Sequence, residues 1–323
     1  MKYTIIGDPH CKPNNLLYIN AIFKMAERAK YPVIVLGDTL DTKEVIRGKC
    51  LNFIYKKLKE SSLQWYFLIG NHCWFNLDCE DHSLKVLNEL PNVTIIDKPF
   101  RLDRMLMMPF YSNIDSFKKD LIRNIGKTDV LFMHQGVVGF DYGNGYIADG
   151  SGSGELEDVI VHKIPLVISG HFHKYAQKKN ITFLGAPFSH NFGESNQEKY
   201  LGIYDSETNS LELRESLLPR HLTMEYNCSN KNEGLDSLIK SLDETDSIRI
   251  ILTGTELEVK SIDKNKYPNI KFIEKISDDL QAEDDLIDEE SSIESNFNTW
   301  ASELRQLPPE TINLGLEILG ETK

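Results

Sequence analysis

Gly170-His171-Phe172-His173 follows the apolar run Pro165-Leu166-Val167-Ile168-Ser169. Such a run reads as a buried strand, and two histidines one residue apart beyond its end suit metal ligation better than packing. Four earlier apolar runs also finish in ligand-type residues: Asp8 and His10, Asp38, Asn71 and His72, and His134. A fold that brings these five strand ends together is what the chain has to supply.

The segments around them alternate. Lys2 to Ile6 is a β-rich run that stops at Pro9 and Pro13, and Leu16, Leu17, Ala21, Ile22, Met25 and Ala26 then share a helical face. Val33 to Leu36 is the next strand, 45–59 a helix, and Trp65 to Ile69 a strand. Continuous apolar strands separated by helices mark a buried α/β sheet, whose ligands gather beyond the carboxyl ends of the strands. A helix is expected over 83–89, strands over 93–96 and 104–108, a helix over 116–124 and a strand over 130–133. The five glycines of 141–154 predict a mobile loop near the site. Strands over 181–184, 200–204 and 211–217 are spaced closely enough for antiparallel hairpins completing a second sheet.

From about residue 222 the pattern changes to a helix over 234–242 and strands over 248–252 and 270–273, a small α/β module. Asp278 to Glu294 then holds nine acidic residues and no Lys or Arg, a solvated linker. Beyond it, Phe297, Trp300, Ala301, Leu304 and Leu307 fall at helical spacing, Pro308-Pro309 breaks the run, and 311–319 starts a second amphipathic helix. A helix–turn–helix on a charged tether reads as a docking element.

The net charge of −13 over 323 residues argues against a nucleic-acid partner. Most of it belongs to the acidic run, so that argument is weak for the remainder. No apolar stretch reaches the length of a membrane span and no secretory signal opens the chain, so the expected location is cytoplasmic, without membrane association. Five cysteines in no CxxC pair argue against a disulfide framework and against a thiolate zinc site. No phosphate-binding loop with Lys and Ser/Thr is present, so ATP hydrolysis, if involved, belongs to a partner.

Taken as ligand types, Asp8, His10, Asp38, Asn71, His134, His171 and His173 are mixed oxygen and nitrogen donors. They suit two divalent ions sharing a carboxylate, manganese, iron or zinc, that activate a water for attack on a phosphoryl group. In order, Gly7-Asp8-Pro9-His10, Gly37-Asp38-Thr39-Leu40-Asp41, Gly70-Asn71-His72, His134 and Gly170-His171-Phe172-His173 resemble the motif set of calcineurin-like metallophosphoesterases. The resemblance covers residues 1 to about 220. It implies a sandwich of two mixed β-sheets flanked by helices.

It also implies Asp8, His10, Asp38 and His173 on one metal, and Asp38, Asn71, His134 and His171 on the other. His72 would serve the leaving oxygen rather than a metal. Cys73 departs from the family, which commonly has an acidic residue there.

Leu184-Gly185-Ala186-Pro187, Phe192-Gly193-Glu194 and Glu198-Lys199 resemble the SbcD-type DNA repair nuclease subunits, including the compact phage-encoded kind. That narrower resemblance implies a nuclease domain over 1–220, a capping domain over 221–276, an acidic linker over 277–295 and a helix–turn–helix tail over 296–323. It further implies two manganese ions, DNA as substrate, an SbcC-like ATPase held through 296–323, and a homodimer within a heterotetramer. A small phosphodiester, a phosphoprotein or a DNA-end scaffold are the alternatives. His190 is open between DNA contact and polar surface, while His82, His162 and His221 read as structural or exposed.

Overall fold

The computed structural model describes the chain except residues 44, 77–79, 143–144, 146, 151–154, 158–159, 230–233, 277–296, 298–300, 302–307 and 322–323, and the side chains of 318–321. It divides into two units, Met1–His221 and Leu222–Lys323.

The first unit opens with β1 (Lys2–Ile6), α1 (Leu16–Ala29), β2 (Val33–Val35), α2 (Gly48–Glu60), β3 (Trp65–Leu68) and β4 (Val93–Ile96). It continues with β5 (Phe100–Leu102), β6 (Met105–Met108), α3 (Ile114–Asn124), β7 (Val130–Met133), β8 (Gly136–Val137) and β9 (Glu155–Leu156). Then come β10 (Leu166–Ser169), β11 (Ala176–Lys178), β12 (Ile181–Phe183), β13 (Tyr200–Asp205) and β14 (Ser210–Glu215).

Two mixed six-stranded sheets result, ordered β14-β13-β1-β2-β3-β4 and β11-β12-β10-β7-β6-β5. β1 to β4 run parallel, as do β6, β7, β10 and β12. The strands are apolar on both faces because both faces are buried. Ile5, Ile34 and Leu68 pack inward against Met107, Phe132 and Ile168 of the other sheet. The alternate residues Ile6, Val33, Val35 and Phe67 pack outward beneath Ile19, Ile22 and Phe23 of α1 and Ile54 and Leu58 of α2. On the far side Leu106, Leu131 and Val167 meet Phe117 and Leu121 of α3. Asn113 caps α3 by accepting from the Ser116 amide.

Three expectations are corrected. The β13–β14 hairpin completes the first sheet, not the second, because β13 pairs antiparallel with β1; β1 is buried on both sides and needs a neighbour at each edge. The helix over 83–89 is a single 3-10 turn, Lys85–Glu89. α2 begins at Gly48, leaving Val45 and Ile46 exposed ahead of it. Of the glycine-rich 141–154 segment, residues 143–144, 146 and 151–154 lie outside the described residues. Asp141 bridges to Ile147.

The second unit carries a three-stranded sheet, β15 (His221–Asn227), β16 (Ser247–Gly254) and β17 (Ile270–Ile276), with α4 (Leu235–Lys240) and α5 (Glu256–Lys260). Leu235, Ile250, Leu252 and Val259 form its core. The acidic run lies outside the described residues, as does most of the first helix of the expected tail. The second helix is present as α6 (Pro309–Glu321), whose opening proline suits a first helical turn. Among the described residues no helix is long and apolar enough to cross a membrane.

Candidate metal centre

Each motif follows a parallel strand: Asp8 and His10 follow β1, Asp38 β2, Asn71 and His72 β3, His134 β7, and His171 and His173 β10. Both sheets thus deliver donors to one end of the sandwich. The glycine in front of every motif except that of His134 is required by how closely these turns approach. A Cβ on Gly37, at φ +132°, would overlap the His134 ring, and one on Gly70 would overlap the Asp38 carboxylate. His10 and Asp38 (both φ +40°) and His171 (φ +84°) adopt backbone that side-chain-bearing residues rarely take. Strain of this kind costs about 1–3 kcal/mol per residue and persists only where the surroundings fix it.

Around His134 the hydrogen positions can be worked out. Its Nδ1 donates to the Leu36 carbonyl at 2.8 Å, so the neutral ring keeps a bare lone pair on Nε2. That nitrogen lies 3.0 Å from Asn71 Oδ1 and 3.4 Å from Asp38 Oδ2. The same Asn71 oxygen is 3.0 Å from His171 Nδ1. Acceptors gathered this way, on buried Asp38 and His134 and half-buried Asn71 and His171, need positive charge among them. Burial opposes charge on His134, yet Asp38 and Asp8 hold its imidazolium up to about 10. Burial, then the charge on His134, pushes His171 down to about 3, so that ring is neutral.

A second cluster repeats the pattern. His10 Nε2 and His173 Nε2 face each other at 3.1 Å. His173 Nδ1 donates to Glu194 Oε1 at 2.9 Å, which fixes its tautomer and leaves Nε2 bare. His10 Nδ1 lies 3.5 Å from the Asp41 carboxylate, and His10 Nε2 3.6 Å from Asp38 Oδ2. His173 Nε2 is thus a lone pair aimed at His10 Nε2, a spacing at which one divalent ion can take a nitrogen from each ring.

Asp8 and Asp38 are buried, which would raise their carboxyls, but the surrounding histidines hold both well below the usual carboxylate range. Asp8 is oriented by the His171 amide at 2.9 Å, and Asp38 by the His72 amide at 2.8 Å. The seven donors therefore fit divalent ions through carboxylate, amide oxygen and imidazole. Two groups, His10/His173/His190 and Asp8/Asp38/His134, each bring their ligand atoms within 4.8 Å of one another. Cys73 is buried beside them, and burial pushes its thiol up to about 12.

His72 stands edge-on to His10, ring centroids 4.9 Å apart, and its Nδ1 donates to the Asp41 carbonyl at 2.8 Å. Burial lowers its pKa.

Sequence reasoning gave no site role to Asp41, Glu194 and Lys199, and left His190 open between DNA contact and polar surface. Asp41 holds both His10 and Lys12. Glu194 is buried and accepts from His173 and from Lys199, whose Nζ is 2.6 Å away and itself buried. His190 packs edge-on against His10 and His173. Asp41 and Glu194–Lys199 do stand in the quoted motifs, but only folding shows which imidazole each one meets. His82 is buried near Asp97, and His162 bonds Asn180, both structural.

The family model of calcineurin-like phosphoesterases matches residues 1–175. The 244L protein of Invertebrate iridescent virus 6, named as a phosphoesterase, is 28% identical over 292 residues, 82% of this chain and 98% of that protein. Exonuclease subunit 1 of Enterobacteria phage T4 is 23% identical over 265 residues, 78% of this chain and 74% of that one. A solved archaeal phosphodiesterase covers 67% of this chain and 99% of its own at 15% identity, with a TM-score of 0.36, too slight a likeness to argue from. With ordered motifs, two sheets that converge on them and more than half its length matched, the chain belongs to the calcineurin-like phosphoesterase family, whose members use divalent metal ions.

Proposed function

We propose that the chain is a metal-dependent DNA nuclease, cutting phosphodiesters both as exonuclease and as endonuclease, and that it works with an SbcC-like ATPase in DNA end processing. The observation that carries the hydrolytic part is the convergence of the Asp8 and Asp38 carboxylates with the imidazoles of His10, His134 and His173 at one end of the sandwich, His10 Nε2 and His173 Nε2 lying 3.1 Å apart beside Asp38. In this reading Asp8, His10, Asp38 and His173 hold one ion, Asp38, Asn71, His134 and His171 the other, and Asp38 is shared. Bound there, two divalent ions would lower the pKa of an attacking water and take up charge from the phosphoryl oxygens. Manganese suits this oxygen–nitrogen set.

The protein's own contribution is orientation. Glu194, Leu36 and Asp41 each hold one imidazole nitrogen so that the other faces the site. With Nδ1 of His72 on the Asp41 carbonyl, Nε2 is the nitrogen that can exchange a proton with the leaving oxygen.

The relative named as an exonuclease subunit supports DNA as substrate and a multi-subunit assembly. By analogy the partner binds through 296–323, which includes α6, and the nuclease forms a homodimer inside a heterotetramer. The relative named only as a phosphoesterase, and the net charge of −13, favour a second reading in which the substrate is a small phosphodiester or a phosphoprotein. A manganese-dependent cleavage assay on linear and nicked duplexes, beside a chromogenic diester, separates the two. DNA cleavage lost in Asp8→Ala and His173→Ala supports the nuclease reading. Diester hydrolysis without any DNA cleavage, with and without the ATPase, refutes it.

A further inference from the structure

His190 lies in neither metal's donor set as proposed above, yet it closes the cluster around His10 and His173. Its ring centroid is 5.1 Å from each of theirs, and the three rings meet edge-on. The ligand atoms of the three histidines fall within 4.8 Å of one another. Three imidazoles, with no acid among them, have converged on one point.

The ring is held from several sides. Phe188 packs edge-on against it at 4.8 Å. The His190 amide lies 3.3 Å from Glu194 Oε2, the carboxylate that also holds His173 through its other oxygen. His190 Nε2 lies 3.1 Å from the Asp8 backbone carbonyl. A carbonyl only accepts, so the proton of the neutral ring is on Nε2 and the lone pair on Nδ1. That Nδ1 is buried and accepts no hydrogen bond among the described residues. Leaving such a group unsatisfied costs about 1–3 kcal/mol. Leucine or phenylalanine would fill the space beside Phe188 without that cost.

We propose that His190 is a further imidazole ligand of the ion held by Asp8, His10, Asp38 and His173, with Nδ1 as the donor atom. The inference rests on the reading that this ion is bound at all. It makes the first site richer in nitrogen than the second, which has the Asn71 amide oxygen beside two histidines. A nitrogen-rich site favours ions later in the first transition row over magnesium. The two positions should therefore differ in affinity, the His190 side being the tighter.

The test is metal binding rather than turnover. Full-length protein stripped of metal is titrated with manganese by calorimetry, and the first equivalent is examined by pulsed electron paramagnetic resonance for coordinated imidazole nitrogens. His190→Leu should weaken the tighter site at least about tenfold, the lower end of what even outer partners of a ligand are worth, and should remove one imidazole nitrogen from the spectrum. His190→Gln keeps a donor for the Asp8 carbonyl but no imidazole, so it should show the same loss of nitrogen coupling. Circular dichroism melting confirms that at least one of the two variants is folded.

Wild-type affinity and an unchanged nitrogen count in either folded variant overturn the inference and leave His190 as packing. Restoration of wild-type affinity by His190→Gln also overturns it, in favour of a role in holding the Asp8 backbone. A wild-type protein that binds no manganese, or an Asp8→Ala protein that binds two ions as tightly as wild type, overturns the underlying metal reading and this inference together.

Discussion

His72 and Glu194 show how much at this site depends on which nitrogen carries the proton. His72 touches Asp38 through its backbone amide and Asp41 through its ring, so in the proposed reading truncation removes a proton carrier without removing a ligand. His72→Ala should lower the rate of phosphodiester cleavage by about 10²–10⁴, the usual worth of a positioned acid or base, with manganese stoichiometry unchanged; single-turnover kinetics beside calorimetry check both halves. Full cleavage by this variant would refute the role.

Glu194 acts through His173 and is a positioning residue. Glu194→Gln should weaken metal binding about 10–100-fold and strand the buried Lys199, a loss of about 3–5 kcal/mol. Adding Lys199→Met should recover stability but not affinity. The pH dependence has a definite sign. Burial would raise the Glu194 carboxyl, but His173 and Lys199 hold it down to about 2. Its stabilising contribution is therefore present above the unfolded value near ~4.3 and is lost as pH falls from there towards 2. In metal-free protein, thermal melts across that window should decline less steeply for Glu194→Gln than for wild type.

At the scale of elements, the site is made by how near the strand-end turns can come. Gly70→Ala places a methyl on the Asp38 carboxylate. Overpacking of this sort costs about 1–3 kcal/mol, and it should show as a lower melting temperature together with loss of metal uptake, while a surface glycine such as Gly48, with open space around it, tolerates alanine. The strands β1, β2, β3, β7 and β10 were legible because each is an apolar run that ends in a donor, with a glycine before the donor in all but β7. The partner of β13 was not legible. Tyr200–Asp205 and Ser210–Glu215 make a recognisable hairpin, but which sheet edge it joins depends on β1 having a free side, a fact about packing that no local pattern carries. Glu194 and Lys199 escaped a role, and His190 was left open, for the same reason: they follow β12 at positions with no strand period, and meaning comes from the imidazoles they face.

At the scale of the whole molecule, the hydrolytic chemistry belongs to the unit Met1–His221, while α6 belongs to the unit Leu222–Lys323. If 296–323 is a docking element, deleting 295–323 should abolish co-purification with the ATPase and spare hydrolysis of a chromogenic diester by the remaining chain. Normal co-purification of the truncated protein would rule the docking role out.

In the proposed reading, two divalent ions sharing Asp38 hydrolyse phosphodiesters in this chain. Titrating metal-free protein with manganese while following cleavage of a DNA duplex tests it most directly. Cleavage should be absent without metal, activity should saturate at two equivalents per chain, and Asp38→Asn should lose both uptake and cleavage. Full activity at one equivalent, or cleavage by Asp38→Asn at the wild-type rate, would contradict it.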